Sequence, residues 1–299
     1  MARQISSDAG VTTLVFSADG VLLRGLCQDA KLRAWDTATG ALRQTVSFDE
    51  GDSAPALTAT GLVTVGKDGA LKSWDFASGK VARKVAPEGL RARRVAASPD
   101  ANFFAANVKQ TDLASETAVR VLDSGGKQRF VVPSGLGGLG ALAVSPDGST
   151  VVAASYDADM RAWNARNGEL LRLINELPVA MFDLKFSPDG KWLAAAGVDR
   201  TVYLYDTKTW RQARKLVGQP EMISALAFSQ DGKLLASGGF SEITMKKPVK
   251  VLIWDVNTGK PVHTFDAPQR VSSVAISPDS KWAAASTGGK SIDLWALHG

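Results

Sequence analysis

Residues 35–40 read Trp-Asp-Thr-Ala-Thr-Gly, and residues 254–259 repeat the pattern as Trp-Asp-Val-Asn-Thr-Gly. A third copy, Trp-Asp-Phe-Ala-Ser-Gly, occupies residues 74–79. Four weaker copies keep the same spacing, so that the second position of the pair falls at residues 36, 75, 123, 164, 206, 255 and 296. The steps are 39, 48, 41, 42, 49 and 41 residues. Self-similarity at this period indicates one structural unit repeated along the chain.

Each unit is a series of four short strands. An apolar first strand ends in a turn such as Ser187-Pro-Asp-Gly190, where Pro presets the backbone and Asp caps the turn. A second strand rich in Ala and Gly, a third carrying the tryptophan, and a fourth then follow. A single such sheet cannot bury both of its faces, whereas sheets arranged in a ring can. We therefore predict an all-β fold, a seven-bladed β-propeller of four-stranded antiparallel blades, forming a single domain over residues 1–299.

The two ends of the chain predict how the ring closes. The last unit stops just after its tryptophan strand, around Trp295, and so lacks a fourth strand. The chain begins with a short segment that belongs to no complete unit. We expect residues 1–8 to supply the missing outer strand of blade seven.

The composition is typical of a globular protein, with 45% hydrophobic and 22% charged residues. No stretch approaches the roughly 18 apolar residues of a membrane span, and the N-terminus lacks the apolar core of a signal peptide. A cytoplasmic protein without a membrane partner is therefore expected. The single cysteine, Cys27, lies in an apolar run and is expected in the core. The net charge of +5 is scattered, with a local concentration only around Arg91, Arg93 and Arg94, so nucleic-acid binding ranks last among the alternatives.

The repeated Trp-Asp-x-x-Thr-Gly and Ser-Pro-Asp-Gly motifs, which extend over essentially the whole chain, resemble those of the WD-repeat β-propeller family. The resemblance implies a seven-bladed propeller that recognises other proteins. In that family an Asp six residues before the tryptophan joins a hydrogen-bond network with His, Ser or Thr, and Trp; the matching residues are Asp29, Asp68, Asp157 and Asp199. The chain departs from the family because no Gly-His pair precedes any first strand. Its two histidines, His263 and His298, lie elsewhere.

The chain lacks the usual catalytic motifs. It contains no HExxH, GxSxG, phosphate-binding Gly-rich loop or CxxC pair. The glycine-rich residues 135–140 precede a strand, so we interpret them as a loop between blades. No cofactor or metal is expected, and the leading prediction is a non-catalytic scaffold or adaptor for protein–protein interaction. Two alternatives remain: a propeller enzyme acting on a small molecule at the central channel, and a regulatory or sensor domain of a larger protein.

A partner is expected at the rim of the channel, where the loops entering each first strand meet those joining strands two and three. Two of the latter are extended, at residues 107–116 and 240–247, which points either to binding or to tolerated surface drift. Aromatic, Met and Arg side chains are enriched at binding hot spots. The candidates for binding a protein or peptide are Arg91, Arg93, Tyr156, Phe182, Met222, Phe240 and Arg270. The sequence makes no prediction of the oligomeric state.

Overall fold

The computed structural model describes residues 2–48, 53–57, 61–76, 78–86, 92–98, 103–109, 117–133, 138–174, 177–241, 248–287 and 289–297. Within these ranges the chain forms 28 strands in seven four-stranded antiparallel sheets. Each sheet is one blade, so the predicted all-β seven-bladed propeller is confirmed. No helix in this part of the chain is long and apolar enough to cross a membrane.

The strands follow the predicted order within each blade, from the first strand to the outer fourth strand. Before blade one comes β1 (Ala2–Ser6). Blade one contains Val11–Phe16 (β2), Leu22–Cys27 (β3), Lys31–Asp36 (β4) and Leu42–Ser47 (β5). Blade two contains Ser53–Leu57 (β6), Leu62–Val65 (β7), Leu71–Trp74 (β8) and Val81–Val85 (β9). Blade three contains Ala92–Ala97 (β10), Phe103–Lys109 (β11), Thr117–Asp123 (β12) and Gln128–Pro133 (β13).

The remaining blades repeat this arrangement. Blade four contains Leu139–Val144 (β14), Thr150–Ser155 (β15), Met160–Asn164 (β16) and Leu170–Ile174 (β17). Blade five contains Met181–Phe186 (β18), Trp192–Gly197 (β19), Thr201–Asp206 (β20) and Arg211–Val217 (β21). Blade six contains Met222–Phe228 (β22), Leu234–Phe240 (β23), Val249–Asp255 (β24) and Pro261–Ala267 (β25). Blade seven contains Ser273–Ile276 (β26), Trp282–Ser286 (β27) and Ser291–Ala296 (β28).

The chain divides into two compact units. The terminal unit comprises Met1–Phe48 and Ser187–Gly299, and the middle unit comprises Asp49–Phe186. The single domain expected from the sequence stays a prediction.

The predicted turns explain where first strands end and second strands begin. In blade five the Ser187 hydroxyl donates to Asp189 Oδ1 at 2.5 Å, and Asp189 Oδ1 accepts from the backbone N–H of Lys191 at 3.0 Å. Ser187 Oγ also accepts from the N–H of Trp192 at 2.9 Å. Equivalent Ser–Asp bonds of 2.5–2.6 Å recur at Ser17, Ser145, Ser229 and Ser277. A four-residue motif thus sets the register of β-hairpin pairing in each of these blades.

Apolar side chains from neighbouring strands form the core inside each unit. In the terminal unit, Trp254 is fully buried in a cluster with Val202, Leu204, Ile223 and Leu235. In the middle unit, Trp163 is 3% exposed and packs with Val119, Val121 and Val151. The repeated tryptophans therefore build blades, as predicted from their spacing.

The predicted closure between the chain ends is confirmed. Strand β1 pairs antiparallel with β28, in a register that runs from Ala2 opposite Trp295 to Ser6 opposite Ser291. The Ile5 side chain is 2% exposed and packs in a cluster with Ile292 and Leu294. The guanidinium of Arg3 donates to the carbonyl oxygens of Thr37 and Ala38 in blade one. The N-terminal strand is thus held by both blade seven and blade one of the terminal unit.

Candidate functional site

One end of each blade, which we call its loop end, brings together the start of the first strand and the end of the second. In blade six, Met222 at the start of β22 pairs with Phe240 at the end of β23. In blade four, the N–H of Tyr156, just after β15, donates to Gly138 O at 3.0 Å. Antiparallel pairing is the cause, because it places the start of one strand beside the end of the next. Residues far apart in the repeat therefore become neighbours here.

In the described pairings a bulge lies close to the loop end of five first strands, and in four of them it falls at corresponding positions. The pairing register shifts around Thr12 in β2, Arg93 in β10, Gly140 in β14 and Ser224 in β22. These residues stand five positions before the serine of the following turn, and so does Phe182 in β18. A bulge re-aims the side chain at its extra residue and is frequent beside functional sites. The predicted residues Arg93 and Phe182 thus occupy corresponding places; the Arg93 side chain and the whole of Arg91 lie outside the described residues.

In the middle unit the structure brings together two of the predicted residues, Tyr156 and Phe182. Their ring centroids are 6.5 Å apart at an interplanar angle of 68°, an edge-to-face arrangement. Tyr156 is 46% exposed, whereas Phe182 is half-buried. Gly140 lies beside the two rings. A Cβ atom at this position would lie 2.2 Å from Met181 O and 3.4 Å from the Tyr156 ring, so only glycine fits there. The pair thus presents an accessible aromatic surface beside closely packed backbone.

In the terminal unit the structure brings together three more predicted residues, Met222, Phe240 and Arg270, which we call the blade-six cluster. Met222 and Phe240 are cross-strand partners and both are half-buried. The guanidinium of the exposed Arg270 lies over the Phe240 ring, 4.7 Å from its centroid, at a distance suited to cation–π attraction. Next to Arg270, the Val271 N–H donates to Gly239 O at 2.8 Å, which fixes the backbone beside Phe240.

The two extended loops predicted from the sequence lie mostly outside the described residues. Residues 110–116 and 242–247 lie outside the described residues, while 107–109 belong to β11. Of the glycine-rich residues 135–140, which were predicted to form a loop before a strand, 135–137 lie outside the described residues, Gly138 precedes β14, and Leu139 and Gly140 belong to β14. Among the described residues, no group of three or more His, Cys, Asp or Glu is arranged to hold a metal ion.

The aspartates six residues before the tryptophan position have partners that the sequence analysis missed. Asp29 accepts two hydrogen bonds from the Arg33 guanidinium, at 2.9 and 2.7 Å. This pairing lowers the pKa of Asp29 and raises that of Arg33, which is only 4% exposed. In blade five, the hydroxyl of Tyr203 donates to Asp199 Oδ2 at 2.5 Å. Burial, and then this bond to Asp199, raise the pKa of Tyr203.

A sequence signal for these partners exists. Four residues after each of the aspartates stands a cation or a tyrosine: Arg33, Lys72, Arg161 and Tyr203. Lys72, 5% exposed, contributes to lowering the pKa of Asp68, although the largest cause there is the backbone N–H of Ala70. Arg33 and Tyr203 thus bind Asp29 and Asp199 where histidine is absent, whereas the ion-pair partner of Asp68 is Lys84, at 2.9 Å.

Blade six uses a different substitute for histidine. Gly218-Gln219 precedes its first strand, and Gln219 Oε1 accepts from the Ser237 hydroxyl at 2.8 Å. Ser237 Oγ in turn accepts from the Trp254 indole N–H at 2.8 Å. Gln219 is 4% exposed, so this chain of hydrogen bonds stabilises the interior of the blade.

Two other residues considered from the sequence are structural. Cys27 is 4% exposed in the core as predicted, and burial raises the pKa of its thiol. His263 stacks on Phe265 at 5.8 Å, and Phe265 stacks on Trp295 at 4.9 Å. Cys27 ends β3 at the loop end of blade one, opposite Val11, but it is buried, and His263 lies in outer strand β25.

A family model agrees with the blades. The WD domain, G-beta repeat model (WD40) matches residues 131–164, 175–206, 210–242 and 259–296. Three of these matches begin at or near the outer strand of one blade and extend through the first three strands of the next, so that each repeat links two blades. The motifs, the seven four-stranded sheets, the closure by β1 and these matches together show that the chain belongs to the WD40 repeat family, whose propellers commonly act as protein-interaction scaffolds.

Proposed function

We propose that this chain is a non-catalytic scaffold that binds a protein or peptide at the loop ends of its blades. The observation that carries the proposal is the blade-six cluster. Its Met, Phe and Arg side chains come from three separate segments of the chain and meet at one loop end. Met, Phe and Arg are enriched at protein interfaces, and Arg is among the residue types that recur at binding hot spots.

The Tyr156–Phe182 pair supports the same function in the middle unit. Tyrosine combines a large apolar ring with a polar tip and few rotatable bonds, so little entropy is lost when a partner covers it. Tyr156 is 46% exposed while its backbone is held by Gly138 O. The side chain is therefore both positioned and accessible.

The proposal is tested by selecting displayed random peptides on the purified chain. We expect enriched peptides to bind roughly tenfold or more weakly to a Met222→Ala/Phe240→Ala variant or to a Tyr156→Ala variant, because hot-spot truncations typically cost more than 1.4 kcal/mol. Leu42→Ala is the matched control, since Leu42 is 50% exposed but lies at the start of outer strand β5. Failure to enrich any peptide, or equal binding by all variants, would contradict the proposal.

We also propose a cytoplasmic location, which is supported by the sequence composition alone. Fractionation of the native cells followed by immunodetection tests it. Recovery in an exported or membrane fraction would contradict it.

A further inference from the structure

The guanidinium of Arg270 is positioned by the terminal unit, but it forms no ion pair with the described residues there. Its guanidinium lies over the Phe240 ring, and the residue is exposed. Within the described part of the chain it makes no ion pair and no side-chain hydrogen bond. The contact with the ring is not a hydrogen bond, so the N–H donors of Arg270 remain available for a planar oxyanion.

Two described carboxylates of blade six that lie close to Arg270 in sequence or across the sheet are paired with other groups. Glu221 Oε2 accepts from Gln219 Nε2 at 3.2 Å and from the Lys250 N–H at 3.3 Å. Asp266 Oδ1 accepts from the Lys250 ammonium at 2.6 Å. Each of these acids thus has a partner other than Arg270.

Three other described arginines pair with carboxylates inside the chain. Arg33 bonds Asp29, Arg43 bonds Asp36, and Arg161 bonds Asp159, each at 2.7–2.9 Å. In these pairs, N–H donors of the guanidinium are bound to a carboxylate of the same chain. Arg270 instead has an aromatic ring beneath it and the Met222–Phe240 pair beside it.

We propose that Arg270 is the anchor for a carboxylate of the partner, so that the blade-six cluster binds an acidic peptide segment. An Asp or Glu side chain of the peptide pairs with the guanidinium, and a neighbouring apolar side chain packs on Met222 and Phe240. A fixed guanidinium loses little freedom on pairing, and its bidentate geometry suits a carboxylate. This inference rests on the proposed function and names the chemistry of the partner at one of its sites.

A charge-swap selection tests the inference. Random displayed peptides are selected in parallel on the wild-type chain, Arg270→Gln and Arg270→Glu, after thermal melts confirm that all three are folded. We expect Asp or Glu to be enriched on the wild type, lost on Arg270→Gln, and replaced by Lys or Arg on Arg270→Glu. A synthetic acidic peptide from the wild-type selection should bind roughly tenfold to hundredfold more weakly to Arg270→Gln, the range for a hydrogen bond to a charged group.

A second peptide arm separates carboxylate from phosphate, because both are oxyanions that arginine recognises. The acidic residue is replaced by phosphoserine, and binding is measured again. Equal or weaker binding supports a carboxylate partner, whereas binding more than tenfold tighter overturns that assignment.

The outcomes distinguish the two proposals. Enriched peptides that lack acidic residues, yet require Met222 and Phe240, would overturn the role of Arg270 and leave the scaffold function intact. No enrichment on any of the three chains would overturn both.

Discussion

Ser237 belongs to a short chain of hydrogen bonds between buried side chains, and it shows why a single hydroxyl matters. Its oxygen accepts from the Trp254 indole while its hydrogen goes to Gln219. Water does not reach this place, because Ser237 and Trp254 are both fully buried. Removing the hydroxyl would leave two buried polar groups without partners, and each such group is costly.

We therefore predict that Ser237→Ala lowers the free energy of unfolding by about 1–3 kcal/mol. The matched control is Ser286→Ala. Ser286 is also fully buried, but its hydroxyl has no hydrogen-bond partner among the described residues, so its removal is expected to be neutral or stabilising. Urea denaturation of both variants checks the pair. Equal losses would show that the Gln219–Ser237–Trp254 chain contributes nothing specific.

For single residues, the sequence predicts which positions are structurally important better than it predicts their hydrogen-bond partners. The period located the tryptophans and aspartates, because both recur at fixed places in the repeat. It missed that Arg33 and Tyr203 bind the aspartates, since a family pattern based on histidine gave no reason to look four residues further on. The rim residues were chosen by type and position, and the structure groups Met222 with Phe240 and Arg270, and Tyr156 with Phe182. That grouping depends on cross-strand register, which no single segment encodes.

Among the elements, the outer strands share a feature that protects their exposed edges. A register shift occurs opposite the third strand in all six hairpins that end in β5, β9, β13, β17, β21 and β25. A bulge twists the edge and blocks regular pairing with another sheet. This explains how β17 tolerates three exposed leucines: Leu170, Leu171 and Leu173, each at least 40% exposed. The strands were predictable from their apolar pattern, but the bulges were not, because they arise from pairing between strands.

Close approach of the first two strands of blade six gives a prediction at the element scale. A Cβ atom at Gly239 would lie 1.7 Å from the carbonyl oxygen of Met222, a contact that only backbone movement relieves. Gly239→Ala should therefore cost about 1–3 kcal/mol and displace Met222. The control is Gly61→Ala, because a Cβ atom there meets nothing within 4 Å. Thermal melts of both variants check this; an unaffected Gly239→Ala protein would contradict the close packing.

At the scale of the whole molecule, the sheet that joins the two chain ends contains a buried carboxylate, that of Asp293. Asp293 in β28 is 9% exposed, and its Oδ1 accepts from Gln4 of β1 at 3.3 Å. Its Oδ2 is buried without a hydrogen-bond partner among the described residues. Burial raises the pKa of Asp293 above the ordinary value, so the folded chain holds this proton more tightly than the unfolded chain does.

Because the pKa of Asp293 is raised in the folded state, its contribution to stability depends on pH. Between about pH 4, where an unfolded Asp titrates, and its raised pKa in the fold, the folded chain binds more protons than the unfolded chain. The contribution of Asp293 to stability therefore falls as the pH rises through that window. We predict that Asp293→Asn melts higher relative to the wild type at pH 7 than at pH 4. Melting curves across this range measure the difference, and a gap that does not change with pH would rule out titration of Asp293.

Closure between the chain ends rests on the few residues of β1, so its loss should affect the molecule as a whole. Deleting residues 1–8 removes the pairing with β28, the Arg3 bonds to blade one and the buried Ile5 side chain. We predict a marked fall in melting temperature for the deletion. Ile5→Ala alone should lose about 2–5 kcal/mol, because truncating a buried isoleucine leaves a cavity.

Ser6→Ala is the control for Ile5→Ala, since Ser6 belongs to the same strand but is exposed and should change stability by less than about 0.5 kcal/mol. If closure couples the chain ends, Ile5→Ala should also speed hydrogen exchange in β28, the partner strand at the far end of the sequence. Because β2 packs in the same cluster as Ile5, its amides should follow. A loss of protection confined to β1 would show that the strand covers blade seven without holding the two ends together.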